Sequence, residues 1–240
     1  MLPTSAAVTD DARARRRERA TRLRGLYAVT PELADTADLV ARVTAALAGG
    51  ATAIQYRNKH ATSSERYAQA AALARAVAAR SALLIINDDA KLAADVDADG
   101  VHLGEDDWSI DRARDCVGPA RLVGVSCYND FDRAKDAAAA GADYVAFGSF
   151  FPSAVKPEAR RAEVSLLLRA RELNVPVIAI GGITASNAGA LVRAGADAVA
   201  VITAVFGSSN PAEIEYAARA LSTAMTGGSA ADAPTQHGAR

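Results

Sequence analysis

The chain has 240 residues, a net charge of -1 and a hydrophobic fraction of 50%. That suits one or two domains with a large core, and so small a net charge gives no overall field for nucleic acid or a membrane surface. Two cysteines, Cys116 and Cys127, are too few for a disulfide framework and lack metal-site spacing.

The first segment carries what charge asymmetry there is. Residues 1–24 hold seven Arg against Asp10, Asp11 and Glu18, which leaves +4 there and -5 on the rest. Such an arm can touch nucleic acid; it is read here as a solvated N-terminal extension over residues 1–22. The acids interrupt the run and no apolar face is present, so it does not read as a transit peptide. No apolar stretch reaches membrane-span length and no signal-peptide core precedes residue 25, so a cytoplasmic protein is expected.

From residue 25 onward, strand and helix patterns alternate. Strands are expected near 25–30, 51–57, 82–87, 99–103, 121–126, 142–148, 175–181 and 196–202. Helices are expected near 35–48, 62–80, 89–97, 109–117, 130–140, 162–173, 184–194 and 210–223. Thr62, Asp130, Thr184 and Asn210 are suited to capping helix N-termini, and Pro211 suits a first helical position. Gly49-Gly50, Gly141 and Gly195 mark helix ends. The phrase Ala-Gly-Ala-Asp occurs at 140–143 and at 194–197, with a looser form at Ala98-Asp99-Gly100. These read as helix-to-strand turns at the back of the fold. Residues 225–240 lack periodicity, and both ends are expected to be disordered.

Eight strands, each followed by a helix, predict a single (β/α)8 TIM barrel over residues 23–224. The competing open, doubly wound sheet would normally carry a GxGxxG turn after an early strand, and the sequence has none.

Polar residues cluster where the apolar runs end, and a parallel barrel gathers those ends at one mouth. Gln55, Arg57 and Lys59 alternate with Tyr56 and Asn58, so the first three share one strand face. Two cations beside an amide suit a diphosphate. Asn87-Asp88-Asp89 ends the third strand and Glu105-Asp106-Asp107 follows the fourth. Neighbouring strands lie roughly 4.8 Å apart, so carboxylates from these two ends can share a cation. Hard oxygen donors beside a phosphate-rich ligand imply Mg²⁺. Asp89 is assigned to capping the next helix, which leaves a spare Asp. Lys156 lies in Phe151-Pro152-Ser153-Ala154-Val155-Lys156-Pro157, long for a βα loop and read as a flap. Gly181-Gly182 after the seventh strand and Ile202-Thr203 after the eighth match the phosphate cup of such barrels. His60, His102 and His237 show no evident acid or nucleophile partner, which argues against a triad or His-based acid–base chemistry. A metal, two anion cups and no general base suit transfer of a group off a diphosphate.

The motifs GLYAVT, QYRNK, LLIINDD, ADGVHLGEDD, GVSCY, FFPSAVKP, PVIAIGGIT and GADAVAVIT span roughly residues 24–222. In this order the chain resembles the thiamine-phosphate synthases. The resemblance implies a transferase of thiamine biosynthesis: a hydroxymethylpyrimidine leaves its diphosphate and is captured by a thiazole phosphate or its carboxylated form. Thiamine phosphate and pyrophosphate are the products, and bond breaking precedes attack. It further implies that Gln55, Tyr56, Arg57, Asn58, Lys59, Asn87, Ser126 and Lys156 hold the pyrimidine diphosphate, with Arg57, Lys59, Ser126 and Lys156 acting in catalysis. Asp88 and Asp107 would hold Mg²⁺. Ser153, Ala154, Val155, Gly182, Ile202 and Thr203 would hold the thiazole phosphate.

Departures from the family pattern are Asn58 for Glu, Glu105 for Gln, Cys127-Tyr128 for Thr-His, and Ser153-Ala154-Val155 for Thr-x-Thr. The alternatives are a related thiazole tautomerase, which uses a His where Tyr128 stands, and a non-catalytic ligand-binding barrel. The expected partners are small-molecule substrates, with no nucleic acid and no membrane, and self-association is left open.

Overall fold

The structure, a computed structural model, describes residues 5–152 and 161–226. Eight parallel strands close into a barrel in sequence order. They are β1 (Gly25–Val29), β2 (Ala51–Tyr56), β3 (Leu83–Asn87), β4 (Gly100–Leu103), β5 (Leu122–Tyr128), β6 (Tyr144–Phe147), β7 (Val177–Ile180) and β8 (Ala198–Val201). β1 pairs with β8 as well as with β2, so the sheet has no free edge. The expected (β/α)8 barrel is the fold observed.

Among the described residues ten α-helices, and a 3-10 turn at Arg171–Leu173, accompany the strands: α1 (Ser5–Thr21), α2 (Thr36–Ala48), α3 (Ser63–Ala78), α4 (Ala90–Asp95), α5 (Ile110–Val117), α6 (Phe131–Ala139), α7 (Ser165–Ala170), α8 (Ala188–Ala194), α9 (Thr203–Phe206) and α10 (Pro211–Thr226). Local chemistry fixes their starts. Thr62 and Glu65 form a reciprocal capping box on α3. Asp89 and Asp130 accept the N–H groups of Leu92 and Arg133, and Asn210 accepts that of Ala212 ahead of Pro211. Thr184 caps nothing; its own N–H donates to Asn187 Oδ1 at 2.9 Å, and α8 begins at Ala188, four residues after the expected start at 184.

Two apolar layers result. Outward-facing strand residues such as Ile54, Ile86, Val101 and Val123 pack under the helices, while Tyr27, Leu83, Ile85, Leu122, Tyr144 and Ile178 fill the barrel interior. Ala53, Gly124, Ala146, Ala198 and Ala200 leave room inside for two tyrosines. A Cβ added at Gly124 would run into the Tyr144 ring.

The N-terminal expectation is corrected. Residues 5–21 are not disordered but form α1, which closes the end of the barrel away from the βα loops. Leu23, fully buried, joins the interior cluster. Arg19 Nε donates to Asp99 at 2.8 Å, Arg16 lies 3.2 Å from Asp143 and Arg24 lies 3.8 Å from Asp197. The same three carboxylates accept strand N–H groups, of Leu84, Val123 and Val177, at 2.8–2.9 Å. The repeated Gly-Asp turns are therefore clasps. Each Asp ties its own strand entry to the preceding strand and offers its other oxygen to the basic arm. At the other terminus α10 runs through Thr226, two residues into the expected tail, and 227–240 lie outside the described residues.

Candidate active site

A hollow of about 430 Å³ lies beneath the barrel among Arg16, Arg17, Arg24, Asp143 and Asp197. It is formed by the clasp and is remote from the strand ends. The chemistry sits at the other end, in a cavity of about 270 Å³ lined by Gln55, Arg57, Asn87, Ser126, Tyr128 and residues of β1 and β6–β8. A second cup of about 90 Å³ is built from Ile180 to Ile183 and Ala200 to Ala204. The two hollows share Ile180, Gly181, Ala200 and Ile202 as a common wall.

Strand alternation sorts the second motif. Gln55 and Arg57 face the cavity. Tyr56 and Asn58 do not: the Tyr56 hydroxyl donates to Gln69 Oε1 of α3 at 2.8 Å, and Asn58 Nδ2 donates to Leu33 O at 3.0 Å. Both side chains are buried against the helical layer, where they shape the loop after β2. The period-two pleat sends both side chains away from the larger cavity, and with Lys59, Asn87 and Asp88 they line a small hollow beside it.

Arg57 Nη1 donates to Glu32 at 2.6 Å, and the other oxygen of Glu32 lies 3.0 Å from His60 Nε2. Glu32, in the loop after β1, is a site residue that no motif announced. Lys59 Nζ lies 3.0 Å from Asp88 Oδ2. Asp88 takes a left-handed backbone conformation, φ 64°, which an Asp side chain tolerates better than most. Asp107 Oδ2 accepts the Gly104 N–H at 2.6 Å. Burial, and then the Asp88 carboxylate beside it, hold the Asp107 carboxyl above its ordinary range. Two hard carboxylates crowded together, next to a cation and within reach of the diphosphate-suited face, fit Mg²⁺ held by few protein ligands. Among the described residues no group of three or more His, Cys, Asp or Glu is gathered for a metal.

The second cup places Gly182 at φ 66°, with Gly181 at 102°. A Cβ on Gly182 would strike the carbonyls of Phe151 and Pro152. Ile202 stands at the end of β8, and Thr203 opens the short α9. Ser153, Ala154, Val155 and Lys156 lie outside the described residues.

The histidines correct the sequence reading most. His102 Nε2 lies 2.9 Å from Ser126 Oγ, and His102 Nδ1 lies 3.1 Å from the Tyr144 hydroxyl. The Tyr144 hydroxyl is 3.2 Å from that of Tyr27, which accepts from Gln55 Nε2 at 2.9 Å. Burial lowers the His102 pKa to about 4, pushes Tyr27 up to about 12 and holds Tyr144 well above its ordinary value. All three are therefore neutral near pH 7. Among the described residues no carboxylate backs His102, so it is no triad member, but it has a hydroxyl partner. His237 lies outside the described residues.

Comparison with known proteins places the chain. The family described as thiamine monophosphate synthase matches residues 26–205. A thiamine-phosphate synthase of Methylobacillus flagellatus is 52% identical over 82% of this chain and 93% of its own. Another, of Thiobacillus denitrificans, is 56% identical over 76% of this chain and 87% of its own. Among solved structures, thiamine phosphate pyrophosphorylase from Pyrococcus furiosus superposes with a TM-score of 0.76 at 34% identity, over 88% of this chain and 99% of that one.

Proposed function

The chain belongs to the thiamine monophosphate synthase family and is a transferase that forms thiamine phosphate, and we propose that it does so at the paired hollows of the barrel mouth. The observation that carries the assignment is the shared wall. Two hollows with separate polar linings meet at Ile180, Gly181 and Ile202, so two substrates can lie with their reacting ends together.

The larger cavity takes hydroxymethylpyrimidine diphosphate. Gln55 and Ser126 meet the ring, while Arg57, Lys59 and Asn87 meet the diphosphate. Asp88 and Asp107 would hold Mg²⁺, which when bound supplies charge neutralisation for the pyrophosphate as it leaves. The smaller cup takes the thiazole phosphate on Gly182, Ile202 and Thr203; the family resemblance assigns Ser153, Ala154 and Val155, outside the described residues, to the same phosphate and Lys156 to the diphosphate. Its backbone N–H groups approach closely because Gly181 and Gly182 carry no side chain. The C–O bond to the diphosphate breaks first, and the electron pair leaves with pyrophosphate. The thiazole nitrogen then attacks the pyrimidine methylene. Neither step asks the protein to remove a proton, which agrees with a neutral His102 and with a lining that, among the described residues, holds no carboxylate.

The test incubates the purified protein with both substrates, with and without Mg²⁺, and measures thiamine phosphate and pyrophosphate together. Equimolar, Mg²⁺-dependent appearance of both is expected. A folded sample that yields neither overturns the reading.

A further inference from the structure

Five polar side chains form an unbroken line across the barrel at the floor of the larger cavity, which all but Tyr144 line: Gln55 on β2, Tyr27 on β1, Tyr144 on β6, His102 on β4 and Ser126 on β5. Gln55, Tyr27, Tyr144 and His102 are each at most 8% exposed. Their rings also pack together: the His102 and Tyr144 rings stack with centroids 5.6 Å apart. Tyr144 does not line the cavity. In the synthase reading only the two ends, Gln55 and Ser126, have a stated task toward substrate.

The direction of the protons along this line follows from counting donors. A neutral imidazole has one N–H and one lone pair, and each hydroxyl has one proton to give. Gln55 Nε2 donates to the Tyr27 oxygen. Tyr27 then gives its proton to Tyr144, and Tyr144 gives its own to His102 Nδ1. The imidazole proton is left on Nε2 and is donated to Ser126 Oγ. Two groups are thereby freed toward the ligand: the Gln55 carbonyl as an acceptor, and the Ser126 hydroxyl proton as a donor. In the opposite direction the Tyr27 oxygen would accept from both Gln55 and Tyr144, leaving its own proton without a partner among the described residues, and an unpaired buried polar group is costly.

We propose that His102, Tyr144 and Tyr27 are positioning residues that fix the hydrogen-bond polarity of the pocket, so that Gln55 accepts from the exocyclic amine of the pyrimidine and Ser126 donates to an acceptor on the same substrate. The inference rests on the synthase reading for the substrate. The arrangement is a selectivity device: a ring with a carbonyl where the amine stands would face the Gln55 carbonyl, acceptor against acceptor. Sites built on buried donors and acceptors discriminate strongly against such swaps, because the mismatched group stays unpaired.

The polarity is measured directly by ¹⁵N NMR of the imidazoles in the wild-type protein. The expected result is a neutral His102 protonated on Nε2; protonation on Nδ1 overturns the proposal whatever the activity. The functional arm uses Tyr144→Phe, which keeps the ring and severs the line at its centre. Rates are compared for the amino-pyrimidine diphosphate and its 4-oxo analogue. The wild type is expected to prefer the amine by on the order of 1,000-fold or more. In Tyr144→Phe that preference falls at least about ten-fold, His102 shows both tautomers, and KM for thiazole phosphate stays put. An unchanged preference in the folded variant overturns the proposal. If Tyr144→Phe fails to fold, Tyr27→Phe cuts the next link and is read in the same way. A wild type inactive with both pyrimidines would count against the synthase reading, while the NMR result would still decide the polarity.

Discussion

At the scale of single residues, the most consequential burial is that of His102. The imidazole is held neutral, with its pKa lowered to about 4 by desolvation, while the Asp88 carboxylate pulls weakly the other way. The unfolded chain binds a proton near pH 6.5 and the folded one does not, so stability is complete above that pH. It is lost as the pH falls from about 6.5 towards 4, and levels off below, where both states are protonated. The loss amounts to about 3 kcal/mol. Urea unfolding at pH 7.5 and pH 4.5 should show it in the wild type and not in His102→Asn. An equal drop in both proteins would assign it to other groups. Asp88 gives a second prediction. Asp88→Asn keeps a side chain that tolerates φ 64° and removes the charge, so the circular dichroism and melting temperature should hold. Mg²⁺-dependent turnover should fall on the order of 100-fold. Full activity in that variant would refute the metal assignment.

At the scale of elements, strand alternation made much of the site legible. Gln55, Arg57, Asn87 and Ser126 stand where apolar runs end, and the barrel brings all four to one cavity. The same alternation sends the side chains of Tyr56 and Asn58 outward, toward α3 and the loop after β1. The partnership of His102 with Ser126 was not legible. It spans 24 residues and depends on the interior register of β4 and β5, in which His102 stands opposite Gly124. Glu32 was hidden for a related reason: a lone Glu in a loop carries no pattern until the fold sets it against Arg57. Element packing gives its own prediction at Gly124, whose missing Cβ is the space the Tyr144 ring occupies. Gly124→Ala should destabilise by about 1–3 kcal/mol through overpacking, measured by urea denaturation. It should also disturb activity, because the displaced ring carries the central hydroxyl of the polar line.

At the scale of the whole molecule, the barrel was readable because eight apolar runs and eight helical patterns allow few closed arrangements. The N-terminal arm was not readable, because its order comes from Asp99, Asp143 and Asp197 and not from any periodicity of its own. Asp143 is the central clasp, holding Arg16, Arg114 and the Val123 N–H at once. Asp143→Ala takes the carboxylate from all three, leaving Arg114 only its backbone acceptors, and should cost about 3 kcal/mol. That lowers the melting temperature by roughly 10 °C, with KM for both substrates unchanged because the clasp lies at the far end from the mouth.

The clasp also bears on the order in which the chain can assemble. Arg19 and its partner Asp99 are 80 residues apart, and Asp143 and Asp197 come later still. At a synthesis rate of roughly 5–20 residues per second, α1 emerges several seconds before its first carboxylate exists, and longer before its last. The segment made first is thus among the last to find its place. Until then the lower rim of the nascent barrel stays open, and seating the helix is the step that marks its closure.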